Sequence, residues 1–364
     1  MFEINKKRLL KTFTDLVKIP SPSWEEHQVL DYLTKKLDRL NISYKKYKCQ
    51  GSYNLLARLP SPKKQSPFLL AAHLDTVGPW AKVLPKISNH KITSNGKTIL
   101  GADDKAAVAM ILEALETISE KKLNHLPLEI LFTCAEEIGL EGIKNFDCSR
   151  LRSKYGFIFD SSGPVGQIIL ESPYHMIYKL TIKGQAAHAG IEPEKGLNAI
   201  KILGEIITKI PSGRMDKKTT INLGTISGGE ATNIVPAKAT LDFEIRAIDP
   251  KKIKRYEALI EKNIQTIILK YKNKFTLVKE LHYPGYILNK EDQVVKLAKQ
   301  ALQKIKINPT LISSGGGSDA NIINQRKIKT VNLSCGMENV HSNKEYILIK
   351  DLMNGTKLIL ALIS

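Results

Sequence analysis

Cysteine is scarce in this 364-residue chain, and the four present, Cys49, Cys134, Cys148 and Cys335, are too far apart to form a C-x-x-C pair. That spacing argues against a disulfide framework and against a thiolate zinc site, so the four read as reduced core thiols. No apolar run approaches the roughly 18–20 residues that a membrane-spanning helix requires. The opening "MFEINKKRLLKTFTDLVKIPSPS" alternates basic and apolar residues at helical spacing. It lacks the continuous apolar segment and small-residue cleavage site of a secretory signal. It reads as an amphipathic surface helix, and the chain as cytoplasmic with no membrane partner. Internal repeats and low-complexity tails are absent. So is a G-x-S-x-G elbow, which disfavours a serine hydrolase.

Acidic residues are also in deficit: 36 Asp and Glu against 55 Lys and Arg leave a net charge of +19. A nucleic-acid binder would carry such a surplus. Yet the Lys/Arg-rich stretch 251–280 reads as a helix and a strand with Ile and Leu at core positions, and no aromatic-basic ribbon accompanies it. The surplus reads as a lysine-rich surface, and no nucleic-acid partner is expected.

What is present is an alternation of apolar strands and amphipathic helices over the first 170 residues, the pattern of an α/β domain with a largely parallel sheet. Strands are expected at 53–59, 67–72, 128–134 and 155–159, and helices at 24–40, 104–120 and 140–147. Residues 176–285 follow a different order. A strand (176–184) precedes a helix (193–210), the strands "TTINLGTISG" and "KATLDFEIRAI", a helix (250–271) and the strand "FTLVKEL". That β-α-β-β-α-β order is ferredoxin-like. Helix–strand alternation then resumes with a helix at 291–304, a strand at 328–334 and a helix at 349–362. The chain is therefore expected to be an α/β domain, 1–175 and 286–364, interrupted by an inserted ferredoxin-like domain, 176–285.

Ionisable residues punctuate the larger domain. "LLAAHLD", "LFTCAEE" and "GFIFD" end apolar strands with His73 and Asp75, with Glu136 and Glu137, and with Asp160. "GADDK" opens a helix with Asp103 and Asp104, and His341 follows the strand ending near Ser334. In an open parallel sheet the carboxyl ends share one edge, where ligands bind. These scattered residues are thus expected to meet in one crevice. Carboxylates gathered there would repel unless cations balanced them. Histidine with Asp and Glu, and without Cys, suits Zn²⁺, with Mn²⁺ or Co²⁺ as alternatives. A pair of such ions needs a shared ligand, which one of the two adjacent aspartates would provide. His73 and Asp75 point the same way from a strand end, which suits a ligand histidine oriented by a carboxylate. The adjacent Glu136 and Glu137 point apart, so that one can ligate while the other serves as general base.

The segments "HLDTVGPW", "GADDKAAVAMILEAL", "TCAEEIGLEG" and "VHSNKEYI" together resemble the M20 family of dinuclear metallopeptidases, in its peptidase T-like branch. The resemblance spans nearly the whole chain. It implies two divalent metal ions, Asp103 bridging them, His73 and Asp160 completing one and Glu137 and His341 the other. It further implies Asp75 as orienter of His73, Glu136 as general base, and a cis Asp103–Asp104 peptide bond. The inserted domain resembles that family's lid and dimerisation domain. Through "GQAAHAGIEPEKGLNAI", "GGEATNIVPA" and "FEIRAID" in that domain, and through the loop "SSGGGSDANI" beyond it, the resemblance implies substrate-binding roles for His188, Asn233, Arg246 and Gly316. The implied activity is aminotripeptidase-like hydrolysis of short peptides, with a homodimer formed through the inserted domain. An N-acyl amino acid amidohydrolase uses the same machinery, and a catalytically inactive basic binding protein is the alternative of another class.

Overall fold

The computed structural model describes residues 2–79, 82–272 and 274–364; Trp80 of the "HLDTVGPW" segment lies outside them. The chain divides into two compact units, one of Met1–Glu171, Ile287–Ser314 and Ser318–Ser364, the other of Ser172–Tyr286 with Gly315–Gly317.

The first unit is built on a sheet whose strands run in the order Ser43–Cys49, Ser52–Leu59, Leu128–Thr133, Phe68–His73, Tyr155–Ile158, Lys329–Leu333, Gln167–Ser172. The four from Leu128–Thr133 to Lys329–Leu333 are mutually parallel. Every residue of Phe68–His73 and Leu128–Thr133 is buried, as a parallel strand covered on both faces requires. This is why those stretches are continuously apolar rather than alternating. Helix Ala102–Lys121 is rich in alanine and buried on nearly every side. The amphipathic helices Lys6–Val17 and Ile349–Ile363 pack on it. Leu9, Phe13 and Leu16 of the N-terminal helix are buried, and Arg8 Nε donates to Glu113 Oε2 at 2.7 Å.

The antiparallel hairpin Ser43–Cys49/Ser52–Leu59 adds an edge strand. "SYKKYKC" did not read as a strand, because its adjacent lysines break the alternation that marks a half-buried one.

The second unit is antiparallel throughout, in the order Gly213–Asp216, Thr219–Gly228, Lys238–Ala247, Tyr174–Lys183, Phe275–Tyr283. Helices Ala199–Ile207 and Pro250–Lys270 close its core, where Ile202, Leu203 and Ile264 meet Leu180, Leu241 and Ile245. The parallel sheet and the ferredoxin-like insertion expected from the sequence are both present. The helix expected at 193–210 is shorter: Pro193–Lys195 forms a single 3₁₀ turn, and the α-helix begins at Ala199, where the Asn198 side chain accepts from the Lys201 amide. Gly196 and an N-capping asparagine separate the two.

Candidate metal centre

All candidate ligands of the first unit except Asp103 lie at or beyond the carboxyl ends of sheet strands. His73 ends its strand, Glu136 and Glu137 follow Leu128–Thr133, Asp160 follows Tyr155–Ile158, and His341 lies beyond Lys329–Leu333. Asp103 arrives from another direction. Gly101 turns the chain with a left-handed φ of 73°, a conformation that favours glycine. Asp103 and Asp104 keep non-helical backbone, with ψ of 106° and 27°, and the peptide bond between them is cis.

The Asp103 carboxylate faces two imidazoles at once: Oδ1 is 3.0 Å from His73 Nε2 and Oδ2 is 3.3 Å from His341 Nε2. His341 Nε2 lies 3.1 Å from Glu137 Oε2, and His73 Nε2 lies 4.0 Å from Asp160 Oδ1. Two trios of donor atoms each fall within 4.8 Å of one another, His73–Glu136–Asp160 and His73–Asp103–Glu137. The geometry thus brings all five candidate ligands together with Glu136.

Asp75 stands beside His73 with both its carbonyl and its carboxylate. The nearest acceptor to His73 Nδ1 is the main-chain carbonyl of Asp75, at 3.0 Å; the carboxylate Oδ1 is 3.5 Å away. That carboxylate also accepts from the amides of Glu136 (2.9 Å) and Glu137 (3.1 Å) and from Ser23 Oγ (2.7 Å). It anchors the main chain that carries both glutamates.

Burial and the neighbouring Asp160 push the Glu136 carboxyl well above the carboxylate range; burial and Asp103 do the same to Asp160. Burial would lower the His73 imidazole, but bonds to Asp103 and Asp75 hold it well above its ordinary value. The His341 imidazole is raised to about 10 by Asp103 and Glu137. Carboxylates this crowded keep protons unless cations balance them, and divalent ions displace such protons when they bind. The donor set, two imidazoles on either side of the Asp103 carboxylate with further carboxylate oxygens beside them, fits a pair of divalent ions.

Three buried polar residues complete the surroundings and carried no periodic signal in the sequence. Asn332 receives the Asp160 amide on Oδ1 (3.0 Å) and donates Nδ2 to the Asp160 carbonyl (2.5 Å). Asp319, at the end of the glycine-rich loop, accepts from Thr133 Oγ1 at 2.6 Å, and burial pushes its carboxyl up to about 6. Glu345 accepts from the main chain just ahead of Asp103.

The remaining candidates lie in the second unit. His188 and Asn233 are exposed and sit on paired backbone, the Ala189 amide donating to the Asn233 carbonyl at 2.9 Å. Arg246 is held by Glu244, with Nε to Oε1 at 2.9 Å and Nη2 to Oε2 at 3.1 Å, while Nη1 donates to the Tyr283 hydroxyl at 3.1 Å. His175 Nε2 lies 2.7 Å from Glu244 Oε2. The Gly316 carbonyl accepts from Ser172 Oγ at 2.8 Å. A Cβ on the adjacent Gly317 would stand 2.5 Å from the Tyr283 ring, so only glycine allows this approach.

Comparison with known proteins agrees with this architecture. Residues 173–272 match the model of a peptidase dimerisation domain, and residues 54–172 match peptidase family M28. The chain is 37% identical to an aminopeptidase PepT from Bacillus cereus, covering 99% of this chain and 98% of that one with a TM-score of 0.88. It is 34% identical to a tripeptidase from Staphylococcus aureus, with the same coverage and a TM-score of 0.93. A peptidase T from Fusobacterium nucleatum is 30% identical over 76% of this chain and 68% of its own length.

Proposed function

Because the chain belongs to the peptidase T-like branch of the M20 metallopeptidases, we propose that it releases amino-terminal residues from short peptides, tripeptides foremost. That membership makes the protein a metallo-exopeptidase, hydrolysing peptide bonds with the help of a metal. The finer reading is ours. Two divalent ions, zinc before manganese or cobalt, would be held by His73 and Asp160 on one side and by Glu137 and His341 on the other, with Asp103 as their shared ligand. The observation that carries it is the Asp103 carboxylate with one oxygen toward His73 and the other toward His341.

When bound, the ions supply the Lewis acidity that polarises a peptide carbonyl and acidifies water. The Glu136 carboxylate takes the proton of the attacking water and passes it to the leaving amine. Asp75 keeps Glu136 and Glu137 in register by anchoring their amides. His188, Asn233, Arg246 and the loop at Gly316 take the substrate, His188 polarising the carbonyl. Arg246 acts here as a positive charge rather than as a bidentate clamp, since its fork already grips Glu244.

A homodimer through the inserted unit is supported by the exposed Ile200 and Ile226, the latter on strand Thr219–Gly228. No helix among the described residues is long and apolar enough to cross a membrane; we place the enzyme in the cytoplasm. A panel of tripeptides, dipeptides and acetyl-amino acids, assayed with zinc, manganese and cobalt after chelation, tests the reading. Preference for acetyl-amino acids would replace it with a deacylase. Light scattering tests the dimer, and a monomeric mass would remove it.

A further inference from the structure

Glu345 is 1% exposed, and its carboxylate accepts from four consecutive main-chain amides. Oε2 accepts from Leu100 and Gly101, both at 2.7 Å; Oε1 accepts from Ala102 at 2.7 Å and Asp103 at 3.2 Å. This exceeds the cap of a regular helix, because the backbone at Asp103 and Asp104 is still non-helical. A local Ser or Asp would satisfy such a helix start, whereas this acid arrives from 242 residues further along the chain.

Its neighbour in sequence is the telling one. His341, four residues earlier, faces the Asp103 carboxylate at 3.3 Å. One short segment therefore holds Asp103 twice, its side chain facing His341 and its main chain bonded to Glu345. We propose that Glu345 is a positioning residue that sets the distance between Asp103 and His341, and so the spacing at which the two ions can be shared. The inference rests on the ligand roles proposed above. A glutamine cannot replace the carboxylate. It offers one acceptor oxygen, and its amide hydrogens would face two of the four donors.

The experiment compares zinc affinity and stoichiometry of wild type, Glu345→Gln and Glu345→Asp by competition against a chromophoric chelator, alongside the melting temperature of each metal-free protein. Loss of a residue that orients a ligand weakens metal binding by about 10–100-fold. We expect that range for Glu345→Gln, a smaller loss for Glu345→Asp, and recovery of activity as zinc is raised. A lowered metal-free melting temperature with wild-type zinc affinity would make Glu345 merely structural and overturn the proposal. Should Glu345→Gln fail to fold, Glu345→Asp is read the same way. Hydrogen exchange on metal-free wild type then decides independently: slow amides at Leu100–Asp103 support the clamp, and exchange at the rate of an open loop removes it. A wild type that binds no divalent ion overturns the functional reading, and this inference with it.

Discussion

The two units each hold a cluster of charge, and they balance it in opposite ways. In the second unit one carboxylate, Glu244, lies between Arg246 and His175. Burial would raise its carboxyl, but hydrogen bonds from His175 and Arg246 outweigh that and hold it down at about 2. In the first unit Asp103, Glu136, Glu137 and Asp160 crowd around two imidazoles, and burial with mutual repulsion drives Glu136, Glu137 and Asp160 up instead. The first arrangement carries its own permanent cation. The second is short of positive charge in a way that only protons or incoming ions can correct. A self-balanced cluster needs no ion to keep its charges, and an unbalanced one calls for cations.

Chelation should break the comparison most sharply. Stripping divalent ions should abolish peptide hydrolysis and re-addition of zinc should restore it, as followed with a tripeptide substrate. Zinc at a hundredfold excess over its dissociation constant should stabilise the fold by about 2.7 kcal/mol, visible as a raised melting temperature. Unchanged turnover and melting would place both clusters in the same class. Next in size, Glu136→Gln should lower kcat by about 10²–10⁴-fold while metal stoichiometry stays at the wild-type value. Retained turnover would take the proton-transfer role from Glu136.

The second cluster should respond in stability instead. Glu244→Ala leaves Arg246 and His175 without their carboxylate and should cost about 1–3 kcal/mol in urea unfolding, with zinc affinity unaltered. A drop in zinc affinity would show that the clusters are not independent. The smallest effect is in pH. The Glu244 carboxyl sits at about 2 in the folded chain against an ordinary 4.5, so its contribution is fully present above 4.5 and is lost as pH falls towards 2. The urea midpoints of wild type and Glu244→Ala, compared without metal, should therefore converge on acidification; a constant gap would assign the bonds no charge.

How much could be read beforehand depended on the kind of order involved. His73, Glu136 and Asp160 follow buried parallel strands, and such strands announce themselves as unbroken apolar runs. Their ends could be placed, and the rule that carboxyl ends share a rim did the rest. Glu345 and Asp319 lay inside quoted segments without drawing a role, and Asn332 drew none either, because a buried polar group obeys no period and its partner is remote in sequence. Asp75 shows the intermediate case: the spacing to His73 was visible, but the anchoring of the Glu136 and Glu137 amides belongs to packing between strand ends. The hairpin strand Ser43–Cys49 was hidden by its lysines for a related reason, since only one side of an edge strand is disciplined by neighbours.

That edge gives part of the surplus positive charge a purpose. A bare strand is a template on which another chain can polymerise, and proteins guard such borders with lysine. Lys45, Lys46 and Lys48 are all exposed on Ser43–Cys49. They work as a fence: a second molecule approaching strand-first would have to bury three ammonium groups to extend the sheet.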